Sequence, residues 1–467
     1  MNKIINLNAH EMAHGIKSGK FTSVQLVQAH LEQIEKLNDK VNAIVTLFPD
    51  ALKKAKEADV AIKRGENWGV LHGVPITIKD SWETKGIKTT ASYKPLKNYI
   101  PKKNAIVVEN ILSQGAIILG KTNLPMLASD IQTNSPIFGK SNNPWDFSKT
   151  TGGSTGGGAA AVSVRFSPIE IGSDLAGSIR IPAHFCGVLG FKPTEGVLSL
   201  TGHIPPKPNK PVTVLHQAHV GIIARSVEDL KIAFECMKGE TFEGDGKDNK
   251  EFNVAYLSKF GNLQVNKDTL KEFNRFQLLI SKHFNSIEDK PLNINFDKIW
   301  ETYGQICGYE IGGDMNWFSR FIFKQLFRKS DPIYKGFYSG LGMNKSIYLN
   351  ALSNRTKIIS LFDIFFKQYD IWICPVSMRQ AFSHTRTGKN IKIDNKKVAY
   401  FTASAAYTTI FNVTGLPVIV IPIGVASDGL PIGVQLVANL GNDELLLNFA
   451  KKVEKLLPNI ANPNISK

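Results

Sequence analysis

Residues 152–161 read GGSTGGGAAA, with five glycines around one serine and one threonine, followed by three alanines. Glycine loses more backbone entropy on ordering than any other residue, so this stretch indicates close backbone approach or an unusual dihedral angle. Three interpretations are open: a phosphate-binding loop, a turn that presents a nucleophile, and a flexible turn. A phosphate loop needs Gly-Lys-Ser or Gly-Lys-Thr at the start of a helix, and no lysine follows these glycines.

The nucleophile turn has partial support. Gly152–Gly156 matches the pattern G-x-S-x-G, in which the serine sits on a sharp turn between a strand and a helix. The preceding SNNPWDFSKTT, however, is polar and interrupted by proline, which argues against a strand leading directly into the turn. The late histidine that such a site needs would be His384, in the polar stretch AFSHTRTGKN. The loop alone therefore does not decide between these interpretations.

Apolar segments on both sides of the loop indicate the fold. In GVPITIKD the apolar residues Val74, Ile76 and Ile78 alternate, which predicts a strand that ends at Lys79. A helical segment, NAIVVENILSQ, and a second strand, GAIILGKTN, follow, and this βαβ rhythm favours a mostly parallel sheet. SPIEIGSD then predicts a short buried strand before a second small-residue turn, LAGSIRIPA. We expect an α/β fold with a mixed, largely parallel central sheet and helices on both faces.

Composition excludes several classes of protein. The chain has 467 residues, 43% of them hydrophobic and 21% charged, which is typical of a globular protein. No N-terminal h-region and no run of about 18 apolar residues is present, so we expect a cytoplasmic protein without a membrane span. The four widely spaced cysteines predict free thiols, no metal and no cofactor. The net charge of +16 is dispersed along the chain, which favours a solvated surface over a nucleic-acid partner.

Residues 240–370 differ in character from the rest of the chain. They are rich in aromatic residues and include NWFSRFIFKQLFRK at positions 316–329. Trp317, Phe318, Phe321, Ile322 and Leu326 would line one face of a helix, with basic residues elsewhere. Such a helix suits a membrane surface or a pocket wall, but the core-facing interpretation is the commoner one and is our prediction.

Six segments, in order, resemble the amidase signature family of serine hydrolases. They are GVPITIKD, GAIILGKTN, IFGKSNNPWDFSKTTGGSTGGGAAA, IEIGSDLAGSIRIPAHFCGVLGFKPT, FNVTGLPVIVIPIG and GLPIGVQLV, and they cover most of the chain outside residues 240–370. The resemblance implies one amidase domain over residues 1–467, with residues 240–370 as a variable substrate-pocket region. It also implies that hydrolysis of a carboxamide C–N bond is the activity.

The resemblance further implies a Ser-Ser-Lys catalytic triad. Ser178 matches the nucleophile, Ser154 the bridging serine and Lys79 the base, and the peptide bond before Ser154 is expected to be cis. A lysine can act as a base only when it is neutral, so its pKa must fall well below about 10.4, as burial beside apolar strand residues would cause. Ser154, which can both donate and accept, would relay the proton. The backbone N–H groups of Leu175, Ala176, Gly177 and Ser178 are the expected oxyanion donors.

Two departures from the family pattern leave the substrate open. Thr155 stands where a second serine is common, and Leu175-Ala176 stands where Thr-Gly is common. Our prediction is a free-standing amidase that acts on a small-molecule amide, and a homodimer is compatible with this prediction. The alternative is the glutaminase component of a tRNA-dependent amidotransferase, its A subunit, whose tyrosine-rich run ending in SRYDG-like residues we do not find. A basic nucleic-acid-binding or non-catalytic scaffold is the remote alternative.

Overall fold

The computed structural model describes residues 3–208, 210, 212–241, 251–287, 294–328, 331–458 and 462–463. Within these residues, eleven strands form the central sheet. In chain order they are β1 (Ile44–Leu47), β2 (Pro75–Lys79), β3 (Ile117–Thr122), β4 (Ile169–Asp174), β5 (Leu189–Lys192), β6 (His219–Ala224), β7 (Asn253–Tyr256), β8 (Asn285–Ile287), β9 (Ile371–Pro375), β10 (Val418–Val425) and β11 (Pro431–Val437). Across the sheet the order is β1-β3-β2-β4-β6-β5-β10-β11-β9-β7-β8.

The sheet is mixed, as predicted. Parallel pairing joins β3 to β2 and β2 to β4, and again β9 to β7 and β7 to β8. The strands between these two groups pair in antiparallel fashion. One antiparallel pair, β10 with β11, is a hairpin closed by the segment ASDGL at residues 426–430. The parallel neighbours β2 and β4 both end at one edge of the sheet, which is where the candidate site lies.

Fourteen α-helices are described, and they cover both faces of the sheet. They are α1 (Ala9–Lys17), α2 (Ser23–Val41), α3 (Ala51–Lys63), α4 (Ile106–Ser113), α5 (Gly156–Ser163), α6 (Arg180–Cys186), α7 (Val227–Lys238), α8 (Lys267–Ser281), α9 (Phe296–Gly313), α10 (Trp317–Gln325), α11 (Pro332–Gly340), α12 (Lys345–Phe366), α13 (Tyr400–Thr414) and α14 (Asp443–Leu456). Along β10, Ile419 and Ile421 belong to a buried apolar cluster that contains residues of α14, whereas Val420 belongs to a different cluster that contains residues of α5 and α6. Because side chains of a strand alternate between faces, helices lie on both sides of the sheet.

The second half of the glycine-rich stretch, from Gly156 onward, is helix α5 rather than part of a flexible turn. Every residue of α5, GGGAAAVS, is buried. A Cβ on Gly157 would lie 2.5 Å from the backbone nitrogen and oxygen of Asn123. The glycines therefore permit this helix to pack directly against neighbouring backbone, and tertiary packing overrides their low helix propensity.

The prediction of a core-facing helix at residues 317–329 is wrong. Helix α10 has no buried residue, and the five apolar side chains of the predicted stripe are between 52% and 72% exposed. The inward side is formed by other residues, among them Arg320, which donates to Gly312 O. Sequence periodicity indicates that a helix is amphipathic but does not indicate which side the rest of the chain covers. Position 329 lies outside the described residues.

Candidate active site

Lys79 and Ser154 are in direct contact. Lys79 is the last residue of β2, and its Nζ lies 2.7 Å from Ser154 Oγ, a hydrogen bond that the ammonium form donates and that the neutral amine can accept. A second hydrogen bond joins Lys79 Nζ to Ser173 Oγ at 3.0 Å, because Ser173 lies near the end of the adjacent parallel strand β4. Both serines and Lys79 are buried. The sequence pattern thus predicts the lysine and its serine partner, but not Ser173.

Ser178 lies in the turn that follows β4 and lines the same cavity as Ser154. The two serine segments are joined by the Thr155 N–H, which donates to Ser178 O at 3.1 Å. The peptide bond between Gly153 and Ser154 is cis, as the resemblance implied. Gly152, one residue earlier, has a φ of +79°, which is a conformation that favours glycine.

Burial sets the charge state of Lys79. Because its ammonium form is desolvated, the pKa of Lys79 falls to about 7, although the carboxylates of Asp174 and Glu170 oppose this shift. An amine with this pKa is substantially neutral near neutral pH and can accept a proton. The arrangement is chemically suited to removing a proton from a serine hydroxyl.

A buried ion pair holds the turn that carries Ser178. The Asp174 carboxylate accepts hydrogen bonds from the backbone N–H groups of Gly177 and Ile179, at 2.8 and 3.0 Å. Arg180 donates to the same carboxylate at 2.8 and 3.1 Å. Burial alone would raise the pKa of Asp174, but Arg180 holds that pKa well below its usual range. The Gly177 N–H, one of the four expected oxyanion donors, is thus already engaged by Asp174 within the turn.

The cavity at these residues has a volume of about 400 Å³. Its described lining includes Ser154, Ser173, Leu175 and Ser178 together with much of the segment 200–219. None of the described residues of 240–370 is among this lining. Tyr303, from that region, contacts the turn that carries Ser178, because its hydroxyl donates to Leu175 O at 3.2 Å.

His203 is a cavity residue that sequence reasoning missed. Its Nε2 lies 2.9 Å from Ser173 Oγ, and its ring stands edge-on to Trp82 with centroids 4.6 Å apart. No sequence pattern signals this histidine, because it is far from Lys79 along the chain and lies in a loop. His384, the partner that a nucleophile turn at Ser154 would need, instead places its Nε2 3.2 Å from Asn142 Oδ1.

All four cysteines are buried and free, and burial raises the pKa of the Cys186 thiol, as expected of a small core residue. In the described part of the chain, no group of three or more His, Cys, Asp or Glu side chains is arranged to hold a metal ion. None of the described helices combines the length and the hydropathy that crossing a bilayer requires.

Comparison with known proteins identifies the class to which this fold and site belong. The chain belongs to the Amidase family, whose model matches residues 25–447. It is 32% identical to the A subunit of the glutamyl-tRNA(Gln) amidotransferase of Thermoanaerobacter pseudethanolicus, over 97% of each chain. A crystal structure of an amidase matches with a TM-score of 0.83 and 26% identity, covering 97% of this chain and 100% of that one. The 6-aminohexanoate cyclic dimer hydrolase, in complex with substrate, matches with a TM-score of 0.81 and 25% identity, covering 99% and 100%.

Proposed function

We propose that the chain hydrolyses a carboxamide through an acyl-enzyme on Ser178, with Ser154 as the proton relay and Lys79 as the base. The observation that carries this proposal is the buried Lys79 amine, 2.7 Å from a serine that shares a cavity with Ser178. A serine hydroxyl is a weak nucleophile until a base takes its proton, and a desolvated lysine can be that base. Enzymes of the Amidase family are hydrolases of amide C–N bonds, which agrees with this chemistry.

Proton transfer through Ser154 accompanies each bond change in this reaction. Neutral Lys79 takes the Ser154 hydroxyl proton while Ser154 takes that of Ser178, and Ser178 Oγ bonds to the carbonyl carbon. The oxyanion is stabilised by backbone N–H groups of Leu175, Ala176 and Ser178, which are the expected donors that remain once Gly177 is committed to Asp174. As the C–N bond breaks, the proton returns through Ser154 to the departing nitrogen. Water then cleaves the ester, so that amide and water yield acid and amine.

Of the functions considered from the sequence, the A subunit of a tRNA-dependent amidotransferase is the better supported. Curated relatives with this name match nearly the full length of the chain, at 32% identity in one case and 31% in another. In this function the amide is that of glutamine, the leaving amine is ammonia, and other subunits receive it. The prediction of a free-standing amidase is therefore the less favoured of the two.

One observation still favours a free-standing amidase as the second candidate. The cavity wall is rich in apolar side chains, which suit an alkyl or aryl amide better than the charged ends of an amino acid. These side chains are Leu127, Leu175, Leu200, Ile204, Val212 and Val214. Val212 is 58% exposed, so this wall continues to the surface.

One panel of assays tests both the mechanism and the choice of substrate. The purified chain is given glutamine and a set of alkyl and aryl amides, and release of ammonia or acid is measured with and without the other amidotransferase components and tRNA. Glutamine hydrolysis that rises with these additions supports the amidotransferase function, whereas a preference for aryl amides without partners supports the free enzyme.

Variants of the three site residues complete this test. In either function Ser178→Ala should abolish turnover and fluorophosphonate labelling. Ser154→Ala and Lys79→Ala should each lower kcat by more than about 10³-fold, because the three residues act as a unit. Labelling that persists in Ser178→Ala but is lost in Ser154→Ala would overturn the mechanism.

A further inference from the structure

His203 lies in the cavity wall at a point where it contacts the hydrogen-bond network of Lys79. It belongs to the loop after β5, pairs with Trp82 through an isolated β-bridge, and is half-buried. Its ring contacts Trp82 on one side, and its two nitrogens have different partners. These two partners determine what His203 can do.

The tautomer of His203 follows from the partner of Nδ1. Nδ1 lies 3.1 Å from Pro205 O, and a carbonyl oxygen only accepts, so the proton of the neutral ring is on Nδ1. Nε2 is then an acceptor, and its partner, 2.9 Å away, is the Ser173 hydroxyl. Ser173 therefore donates its only proton to His203. Burial and the nearby Lys79 lower the pKa of His203 to about 3, so the ring is neutral near neutral pH.

This orientation of Ser173 has a consequence for Lys79. With its proton directed at His203, Ser173 can only accept from Lys79 Nζ, 3.0 Å away. A neutral amine has two N–H groups and one lone pair. One N–H is held by Ser173, and the lone pair remains available to Ser154, 2.7 Å away.

We propose that His203 is a positioning residue for acylation, acting through Ser173 to keep the lone pair of Lys79 directed at Ser154. The inference rests on the proposed function of the Lys79–Ser154–Ser178 site. Without His203, the Ser173 hydroxyl becomes free to donate to the same lone pair and so competes with Ser154 for it. The carboxylates that face Lys79, those of Asp174 and Glu170, are the same with or without His203.

The test measures the rate of fluorophosphonate labelling of Ser178 against pH, which needs neither the natural substrate nor a partner. His203→Phe keeps an aromatic ring against Trp82 and removes only the nitrogens. We expect its plateau rate to fall about tenfold, the lower end of the cost of losing an orienting partner in metal sites. On the acid side of the profile the labelling rate falls, and we call this part the acid limb. We also expect the acid limb of His203→Phe to lie at the same pH as that of the wild type or at a lower pH, because a hydroxyl that donates to Lys79 favours the neutral amine.

A double-mutant cycle isolates the route through Ser173. Ser173→Ala should lower the plateau by a similar factor, and adding His203→Phe to it should cause no further loss, because the two residues act in series. His283→Phe is the matched control, since the side chain of His283 contacts only Leu279 O among the described hydrogen bonds, and this variant should label at the wild-type rate. Thermal unfolding of each variant verifies that it is folded.

Three outcomes would overturn the proposal. They are a wild-type rate in His203→Phe, an additive loss in the double variant, and an acid limb that moves to higher pH, which would mean that His203 only keeps water from Lys79. Wild-type labelling of Ser178→Ala is a different result. It would instead remove the proposed function itself.

Discussion

The carboxylate of Asp174 and the guanidinium of Arg180 form an ion pair at 2.8 Å in which neither side chain is exposed to solvent. Arg180 also donates to Thr408 O, Gln435 and Asn412, so all of its hydrogen-bonding capacity is directed into the protein. The pair connects the Ser178 turn to helix α13 and strand β11. Such a pair is costly to break, because removal of one partner leaves the other charge buried and uncompensated.

Replacement of one partner should therefore destabilise the protein strongly. We expect Asp174→Asn to lower the free energy of unfolding by about 3–5 kcal/mol and to impair labelling of Ser178. Because the pKa of Asp174 is lowered in the folded state, its contribution is fully present above about pH 4 and is lost as pH falls below that value. Urea denaturation at several pH values measures both effects. Glu57→Gln, in the exposed Lys54–Glu57 pair, is the control and should leave the free energy of unfolding nearly unchanged, because solvent screens this pair.

The rate of acylation should depend on pH through Lys79. Only the neutral amine accepts a proton, so kcat/KM should rise with pH and reach half of its plateau near the Lys79 pKa of about 7. Glu170 is buried near Lys79 and raises that pKa, so Glu170→Gln should move the acid limb to lower pH. His384→Gln and His283→Gln should leave the limb in place. Loss of activity in either histidine variant would indicate a Ser-His mechanism instead.

The exposure of α10 predicts where substitution is tolerated. Trp317 is 72% exposed and Phe321 57%, so replacement of either by serine should change the free energy of unfolding by no more than about 0.5 kcal/mol. Phe337, on the neighbouring helix α11, is 6% exposed, and Phe337→Ala should cost about 3–5 kcal/mol. Chemical denaturation of the three variants measures these differences. A cost above about 2 kcal/mol for Trp317→Ser would mean that α10 is covered in solution.

The sequence predicts those parts of the site that depend on local residue patterns and on where strands end. Alternation in PITIK predicts β2 and places Lys79 at its end, and small residues mark the turn at Ser178. Features that depend on tertiary contact are not predictable in this way. The histidine at 203 contacts Ser173 from a distant loop, and α5 is helical because its surroundings require glycine, although propensity argues against a helix there.

The close packing of α5 yields a last prediction. A Cβ at Gly157 would meet the Asn123 backbone at 2.5 Å, and backbone atoms cannot move aside as a flexible side chain can. Gly157→Ala should therefore destabilise the protein by about 1–3 kcal/mol, despite the better helix propensity of alanine. Gly313, at the end of α9, is the matched control: its nearest neighbour would be 3.7 Å away, and Gly313→Ala should be neutral or slightly stabilising. Thermal unfolding of the two variants measures the difference, and equal midpoints would contradict the account of why α5 contains glycine.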